Sequence, residues 1–465
     1  MTSKKVKSFI KLEEANNIDQ KEFNSYYRKN INSALFSIFK LLGFSKIDIE
    51  SAQGSFLYLK NKTKVLDYSG ACGSLNLGHN HPEIINAEKF CHENNTIDAL
   101  KFGVNKLQAI LAHNISTVLP EELDTTFFST SGAEANEAAI KLVTKAQGSK
   151  RKYIIRTKGS FHGKTHGALA FTESENFSEG FHLGFPRENI LTIPFNNLTA
   201  LTEIIEKYPH EIAGIILEPI QGQDIVVPDQ GYLKELQKIC SQNNILTIFD
   251  EYKIGLGRSG SLFYFQSQEV TPDILTMAKS LGGGKRAIGA MVTSRSLWEK
   301  AFGKKKDATL HSSTFSGLGG SCAVAIKSLE IFTSSNFLQN VNDLSEYFFT
   351  RLDDLKKRYP KKISSLRGRG LIIGIEFNFP ISQQSLNIPF AKNIHIAMMG
   401  SIVRELLLNH NVLTYFNGSS PNILNILPPL NTSKEEIDFF IDALNQVLDQ
   451  KYTSLIGKFC KGAIS

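Results

Sequence analysis

The chain has 465 residues, with 42% apolar and 21% charged, the balance of a water-soluble globular protein large enough for more than one domain. Lys plus Arg exceed Asp plus Glu by 52 − 45 = +7, which is mild over this length and comes in no long basic block, so nucleic acid is not indicated as a partner. No apolar run is long enough to span a membrane and no signal-peptide core follows the basic Met1–Lys7 segment, so the expectation is no membrane contact and a cytoplasmic location. The five cysteines (72, 91, 240, 322, 460) are scattered, form no CxxC pair and read as reduced, buried thiols.

Residues 1–45 form an N-terminal arm, in which Phe23, Ile31, Leu35, Ile38, Phe39 and Leu42 recur near helical spacing and predict a helix packed on the body or on a second subunit. Gly54–Leu59 and Val65–Tyr68 read as two short strands around an Asn61-Lys62-Thr63 turn. The small-residue loop Gly70–Pro82 follows. Its His79 and His81 have no nearby carboxylate or thiol that would complete a metal site, so no metal is expected. Residues 83–146 read as helices interrupted by the strand Thr125–Ser129. That strand runs into Ser131-Gly132-Ala133-Glu134, a capping box at a helix start whose bare backbone suits a phosphate.

Lys152–Arg156 is a strand leading to Phe161-His162-Gly163-Lys164, where an aromatic can stack on a flat ring. Ile212–Leu217, apolar throughout, is an interior strand ending in the polar cluster Glu218-Pro219-Ile220-Gln221. Asn244–Phe249 is another, ending at Asp250 and a glycine-rich turn, Gly255–Gly260. Asp273–Ala278 delivers Lys279, 29 residues after Asp250, ahead of Gly282-Gly283-Gly284. Strands and helices alternate through residues 125–330, which predicts a mostly parallel sheet whose ligand crevice lies at the carboxyl ends of its strands. Either Asp250 or Lys279 alone has an adequate structural reading. Together, at two such strand ends, they match the needs of pyridoxal phosphate (PLP): a lysine for a Schiff base and an acid opposite the pyridinium nitrogen. Further on, helices are expected near Cys322–Thr333, over 340–358 and from Lys434 to Leu448, with a strand at Leu371–Phe377.

Eight segments occur in one family's order and spacing: Leu77–Pro82, Ser131–Asn136, Phe161–Thr165, Glu218–Gly222, Phe249–Glu251, Pro272–Lys279, Ser313–Phe315 and Arg369–Leu371. Over roughly residues 47–450 the chain resembles the class III, ornithine/putrescine-type aminotransferases of the PLP fold type I group. The resemblance implies an α/β fold: a large domain (87–339) with a mostly parallel central sheet flanked by helices, and a smaller α+β domain (46–86 and 340–465). It implies that Lys279 forms the Schiff base and shuttles a proton, and that Asp250 pairs with the ring nitrogen. Ser131, Gly132 and Ala133 would hold the phosphate, Phe161 would stack on the ring, and His162 and Glu218 would support the site. Thr314 would reach the phosphate held by a second subunit, making a homodimer with its active site at the interface. The implied reaction moves an amino group from a terminal amine, a diamine or ω-amino acid, to a keto acid or aldehyde.

Three positions depart from that pattern. Lys253 stands near the cofactor's phenolic oxygen where the family usually has Gln, Gln223 replaces a Glu, and Asn425 replaces the Arg that grips a keto acid's carboxylate. Losing the Glu with the Arg is coherent, since an unpaired charge beside an apolar pocket is costly. Either another cation, Lys253, Lys285 or Arg286, grips 2-oxoglutarate, or the usual acceptor is not used; the departures also keep open a different reaction on the same scaffold: racemisation, aminomutation or carbon–carbon bond chemistry.

Overall fold

The computed structural model describes residues 9–379 and 389–464; the basic segment Met1–Lys7 lies outside them. Its centre is a seven-stranded sheet in the order Thr125–Ser129, Gly289–Thr293, Ile274–Met277, Leu246–Asp250, Ile212–Leu217, Tyr153–Thr157, Ile190–Ile193. Four of its six pairings are parallel, and the two made by Gly289–Thr293 are antiparallel. Every residue of Ile212–Leu217 is buried, as expected for a strand covered on both faces.

The helix Gly132–Gln147 shows how sequence becomes packing. Ser131 caps it, its hydroxyl oxygen accepting from Glu134 N–H at 3.2 Å. Half of its eight buried residues are alanine (Ala135, Ala138, Ala139, Ala146), which lets the helix lie close on the sheet. At Gly214 the approach is closest: a Cβ there would stand 3.0 Å from Val143 Cγ1.

A second sheet of four antiparallel strands, Ile363–Arg369, Ile372–Phe377, Ile423–Ile426 and Tyr415–Phe416, packs under the helices Phe337–Arg358, Pro389–His410 and Lys434–Asp449 around Phe348, Phe377, Leu406 and Phe440. The 22-residue helix Pro389–His410 and the strand Ile363–Arg369 are additions to the sequence reading. The expectation of buried thiols is met by Cys240 and Cys322 and not by Cys72 and Cys460, which are exposed. A third sheet joins Ile49–Gln53, Phe56–Leu59 and Lys64–Asp67 to Val412–Leu413, so early and late chain segments share one layer. The arm forms two helices, Gln20–Asn30 and Ser33–Leu42; Arg404 Nη1 donates to the last carbonyls of the second, Lys40 at 3.2 Å and Leu41 at 2.8 Å.

Arg258 joins these layers. It is fully buried; Nη2 and Nε donate to Asn76 Oδ1 (2.8 and 3.2 Å), and Nη1 donates to the carbonyls of Leu371 (2.9 Å) and Pro428. All these acceptors are neutral, and burial pushes its pKa down to about 9. Replacing it in R258M removes every donor while keeping apolar bulk. Each stranded acceptor costs about 1–3 kcal/mol. The expected outcome is a loss of about 3 kcal/mol or more, read as a lower urea midpoint at unchanged slope; an unmoved midpoint would refute this role.

Candidate active site

The site is built from strand ends. Asp250 closes Leu246–Asp250 and pairs in parallel register with Thr276, so the turn carrying Ala278 and Lys279 leaves the same edge of the sheet. Asp250 is buried, and donors converge on its two oxygens. Asn136 Nδ2 donates to Oδ2 at 2.7 Å, His162 Nδ1 lies 2.8 Å from the same oxygen, and Tyr252 N–H donates to Oδ1 at 3.3 Å. The Thr276 hydroxyl stands 2.8 Å from Asn136 Oδ1 and 3.2 Å from Asp250 Oδ1, and its single proton serves one of them at a time. With Nδ1 turned to the carboxylate, His162 Nε2 is buried without a partner. Asn136 uses its second N–H on the His162 carbonyl at 2.8 Å, which ties the helix Gly132–Gln147 to the loop after Tyr153–Thr157.

Lys279 sits at φ +50°, in the left-handed region that a lysine adopts only when its surroundings impose it. Its Nζ donates to the Cys72 carbonyl at 2.8 Å and lies 4.3 Å from the centroid of the Tyr252 ring. Burial first, and the Lys253 ammonium second, pull its pKa down to about 7, so a free amine is available near neutral pH.

A cavity of about 500 Å³ opens beside Lys279; Asp250 does not line it and lies behind His162 and Tyr252, which do. Thr130, Ser131, Gly132 and Ala133 form one wall and Phe161, His162 and Tyr252 another, with Lys279 between them. The first-turn N–H groups of Gly132 and Ala133 belong to a 16-residue helix, which leaves its first amides without intrahelical partners. They therefore offer an anion seat. A flat ring with an anionic tail, an electrophilic carbon and a ring nitrogen fits this arrangement: amides for the tail, Lys279 for the carbon, buried Asp250 for the nitrogen, Phe161 for a face.

Phe161 N–H donates to Glu218 Oε2 at 2.9 Å and Gly222 N–H to Glu218 Oε1 at 3.0 Å. Burial pushes the Glu218 carboxyl up to about 7. Thr314 is exposed and does not line this cavity, so one chain does not bring it to the site. Lys253 is buried behind the cavity rather than lining it; Nζ donates to the Gly222 carbonyl and to Tyr415 Oη at 3.2 Å. Gln223 turns outward, its Oε1 accepting from the Ser419 hydroxyl at 2.9 Å. Asn425 is fully buried in its strand, directly opposite Tyr415, with Oδ1 unpartnered.

Asn136, Tyr252 and Tyr415 were not singled out from sequence. Asn136 closes a motif already noted and Tyr252 stands between two residues that were, so adjacency was their signal. Tyr415 had none. Among the described residues no cluster of three or more His, Cys, Asp or Glu could hold a metal, and no helix is long and apolar enough to cross a membrane.

Comparison with known proteins agrees with this geometry. The family model "Aminotransferase class-III" matches residues 43–448. An acetylornithine aminotransferase of Bacillus cereus is 31% identical, covering 90% of this chain and 99% of that protein. One from Caldanaerobacter subterraneus is 34% identical over 87% and 95%. Aminotransferase PigE of Serratia sp. is 31% identical over 92% of this chain, which spans about half (53%) of that longer protein. Among solved structures, an ornithine aminotransferase from Toxoplasma gondii superposes with a TM-score of 0.79 at 25% identity, covering 93% of this chain and 95% of that one. The match to 43–448, running across both sheets and every strand end that builds the cavity, means that the chain belongs to the class-III aminotransferase family, whose PLP-dependent enzymes transfer amino groups.

Proposed function

We propose that this enzyme takes the amino group of a terminal amine, a diamine or ω-amino acid, and passes it to an aldehyde or a small keto acid. The observation that carries the reading is the pair of strand ends: Asp250, buried under converging donors, beside Lys279, an amine poised near neutrality. PLP, when bound, supplies the electron sink. Asp250 holds a proton at the ring nitrogen, which a neighbouring carboxylate favours by about 1–3 pKa units. Lys279 Nζ makes the covalent attachment and then moves a proton at the substrate carbon. Gly132 and Ala133 N–H groups hold the phosphate with Ser131 behind them, Phe161 covers one ring face, and His162 and Glu218 fix Asp250 and the Phe161 backbone. The relatives and neighbours named above are all aminotransferases, which favours transamination over racemisation, aminomutation or carbon–carbon chemistry on this scaffold.

The acceptor follows from the departures. Asn425 and Gln223 leave the cavity without a guanidinium clamp and its counter-charge. Of the cations that could take over, Lys285 and Arg286 line the cavity; Arg286 Nε is paired with Glu88 at 2.9 Å, Lys285 is a point charge without a planar fork, and Lys253 spends two donors on Gly222 and Tyr415. A lost bidentate contact is worth roughly 1.5–3 kcal/mol, or about ten- to a hundredfold in affinity.

The working unit is a homodimer, with the large domain at 87–339 and the small one at 46–86 and 340–465. Phe102 and Val104 are 93% and 85% exposed. Together with Ile97, Leu310 and Phe315 they make an apolar surface on two strips that touch, Lys101 Nζ donating to the Ser313 carbonyl at 3.3 Å. A second copy covering this surface would carry its Thr314 toward the neighbouring phosphate seat. The five free cysteines suit a reducing, cytoplasmic setting.

Three outcomes are expected. Wild-type protein incubated with PLP shows a visible absorbance band that K279A lacks, and D250N retains the band but loses amino transfer by about two orders of magnitude, in line with the shift at the ring nitrogen; a K279A protein with an undiminished band would refute the assignment. In single-turnover assays pyruvate or an aldehyde saturates at concentrations about tenfold or more below 2-oxoglutarate; tight saturation by 2-oxoglutarate counts against the acceptor reading. Light scattering gives twice the chain mass, and F102D shifts it toward the monomer while weakening PLP retention; a wild-type monomer that transfers amino groups rules the dimer out.

A further inference from the structure

Two lysines converge on the loop Gly70–Gly73. Lys279 reaches it from the cavity side, donating to the Cys72 carbonyl at 2.8 Å. Lys253 reaches it from behind, and two glycines make room for its stem. A Cβ at Gly73 would meet Lys253 Cγ at 3.2 Å; one at Gly222 would meet Lys253 Cδ at 2.6 Å and Glu218 Oε1 at 2.9 Å. The ammonium is buried, fixed between the Gly222 carbonyl of the large-sheet side and the Tyr415 hydroxyl of the second sheet, 3.2 Å away. Both partners are neutral oxygens, so its charge is not cancelled by direct contact.

We propose that Lys253 is a positioning residue that acts through Lys279: a buried cation, held by Gly222 and Tyr415 against the far side of the loop that binds the Lys279 amine, that keeps this amine nucleophilic. This rests on the reading of Lys279 as the reacting amine. The groups facing Lys279 are Lys253, Cys72, Glu218 and Asp250, and those facing Lys253 are Cys72, Glu218, Arg258 and Asp224. Both Glu218 oxygens are occupied by the N–H groups of Phe161 and Gly222, so Glu218 screens the lysine pair only at a distance. Burial holds Tyr252 and Tyr415 far above the ordinary phenol range, so neither ring supplies a compensating anion. A like charge nearby disfavours the protonated form of an amine; burial, with Arg258 adding to it, also lowers the pKa of Lys253 itself. The sequence places the cation two residues after Glu251, on the turn that also carries Tyr252, and the fold aims it at the Lys279 loop.

The test is the titration of Lys279 itself, in protein free of cofactor. Competitive acylation with acetic anhydride across pH, read by peptide mass spectrometry, gives a midpoint near 7 for wild type. In K253M and K253Q the midpoint rises by about one pH unit, so Lys279 labels several-fold more slowly at neutral pH. Y415F removes one of the two ties on Lys253 but keeps its charge, so the Lys279 midpoint rises less than in K253M; a rise as large as that of K253M would assign the effect to packing and overturn the proposal. Lys62, on the surface, labels identically in all variants and normalises the reagent, while an unchanged circular-dichroism spectrum reports intact protein. A Lys279 midpoint that stays in place in both folded Lys253 variants overturns the proposal. In protein loaded with PLP, the pH at which the visible band shifts also moves up in K253M. Absence of any visible band in wild type would sink the cofactor reading instead, while the lysine titration still decides the role of Lys253.

Discussion

The structure turns on the enclosure of one carboxylate. Asp250 lies at the carboxyl end of a central strand with its oxygens bound by Asn136, the Tyr252 N–H and the His162 ring. These come from a helix, a turn and a loop that the sheet alone brings together. A buried carboxylate is tolerated only when hydrogen-bonded or paired, so this arrangement commits the helix start at Gly132, the loop at Phe161 and the turn at Tyr252 to one geometry. The anion seat, the stacking face and the reacting amine are consequences of that commitment. Asn136 is central to it, because its amide grips both Asp250 and the His162 carbonyl.

A second constraint links the sheets. Arg258 has no carboxylate beside it and satisfies its guanidinium on Asn76 and on the carbonyls of Leu371 and Pro428. Burying a charge among neutral acceptors is expensive, and here it locks the loop under Lys279 to the smaller sheet. That loop bends at Ala71 and Cys72, both at positive φ, and offers the Cys72 carbonyl to Lys279. Small-sheet packing is thereby coupled to the position of the reacting amine.

The three departures form one rearrangement. Asn425 stands opposite Tyr415, Tyr415 binds Lys253, and Lys253 binds the Gly222 carbonyl one residue before Gln223. In place of a guanidinium facing substrate there is a phenol and an ammonium bound to one another behind the cavity. The Lys253 ammonium is held by Gly222 and Tyr415 behind the cavity instead of facing into it.

Much of this was legible in the residues. The apolar runs Ile212–Leu217 and Leu246–Asp250, the Ser131 cap, and the order of Asp250, Lys279 and the glycine turns are local signals, since periodicity, capping and strand ends are set by near neighbours. Boundaries shifted by a residue or two, as at Ile274–Met277, because pairing decides where a strand stops. The helix Pro389–His410 escaped because its late part is buried on nearly every side, Ser401, Arg404 and Glu405 included, and so carries no clear apolar stripe. What the sequence by itself determined was the layered class of the fold and which residue types stand at its strand ends. Only the tertiary structure decided that Asn136 and His162 hold Asp250, that Tyr415 meets Lys253 from 162 positions away, and that Asn425 is sealed in a strand. Hydrogen bonds between distant segments depend on angles and ångströms that the packing of whole sheets sets, and no local pattern encodes them.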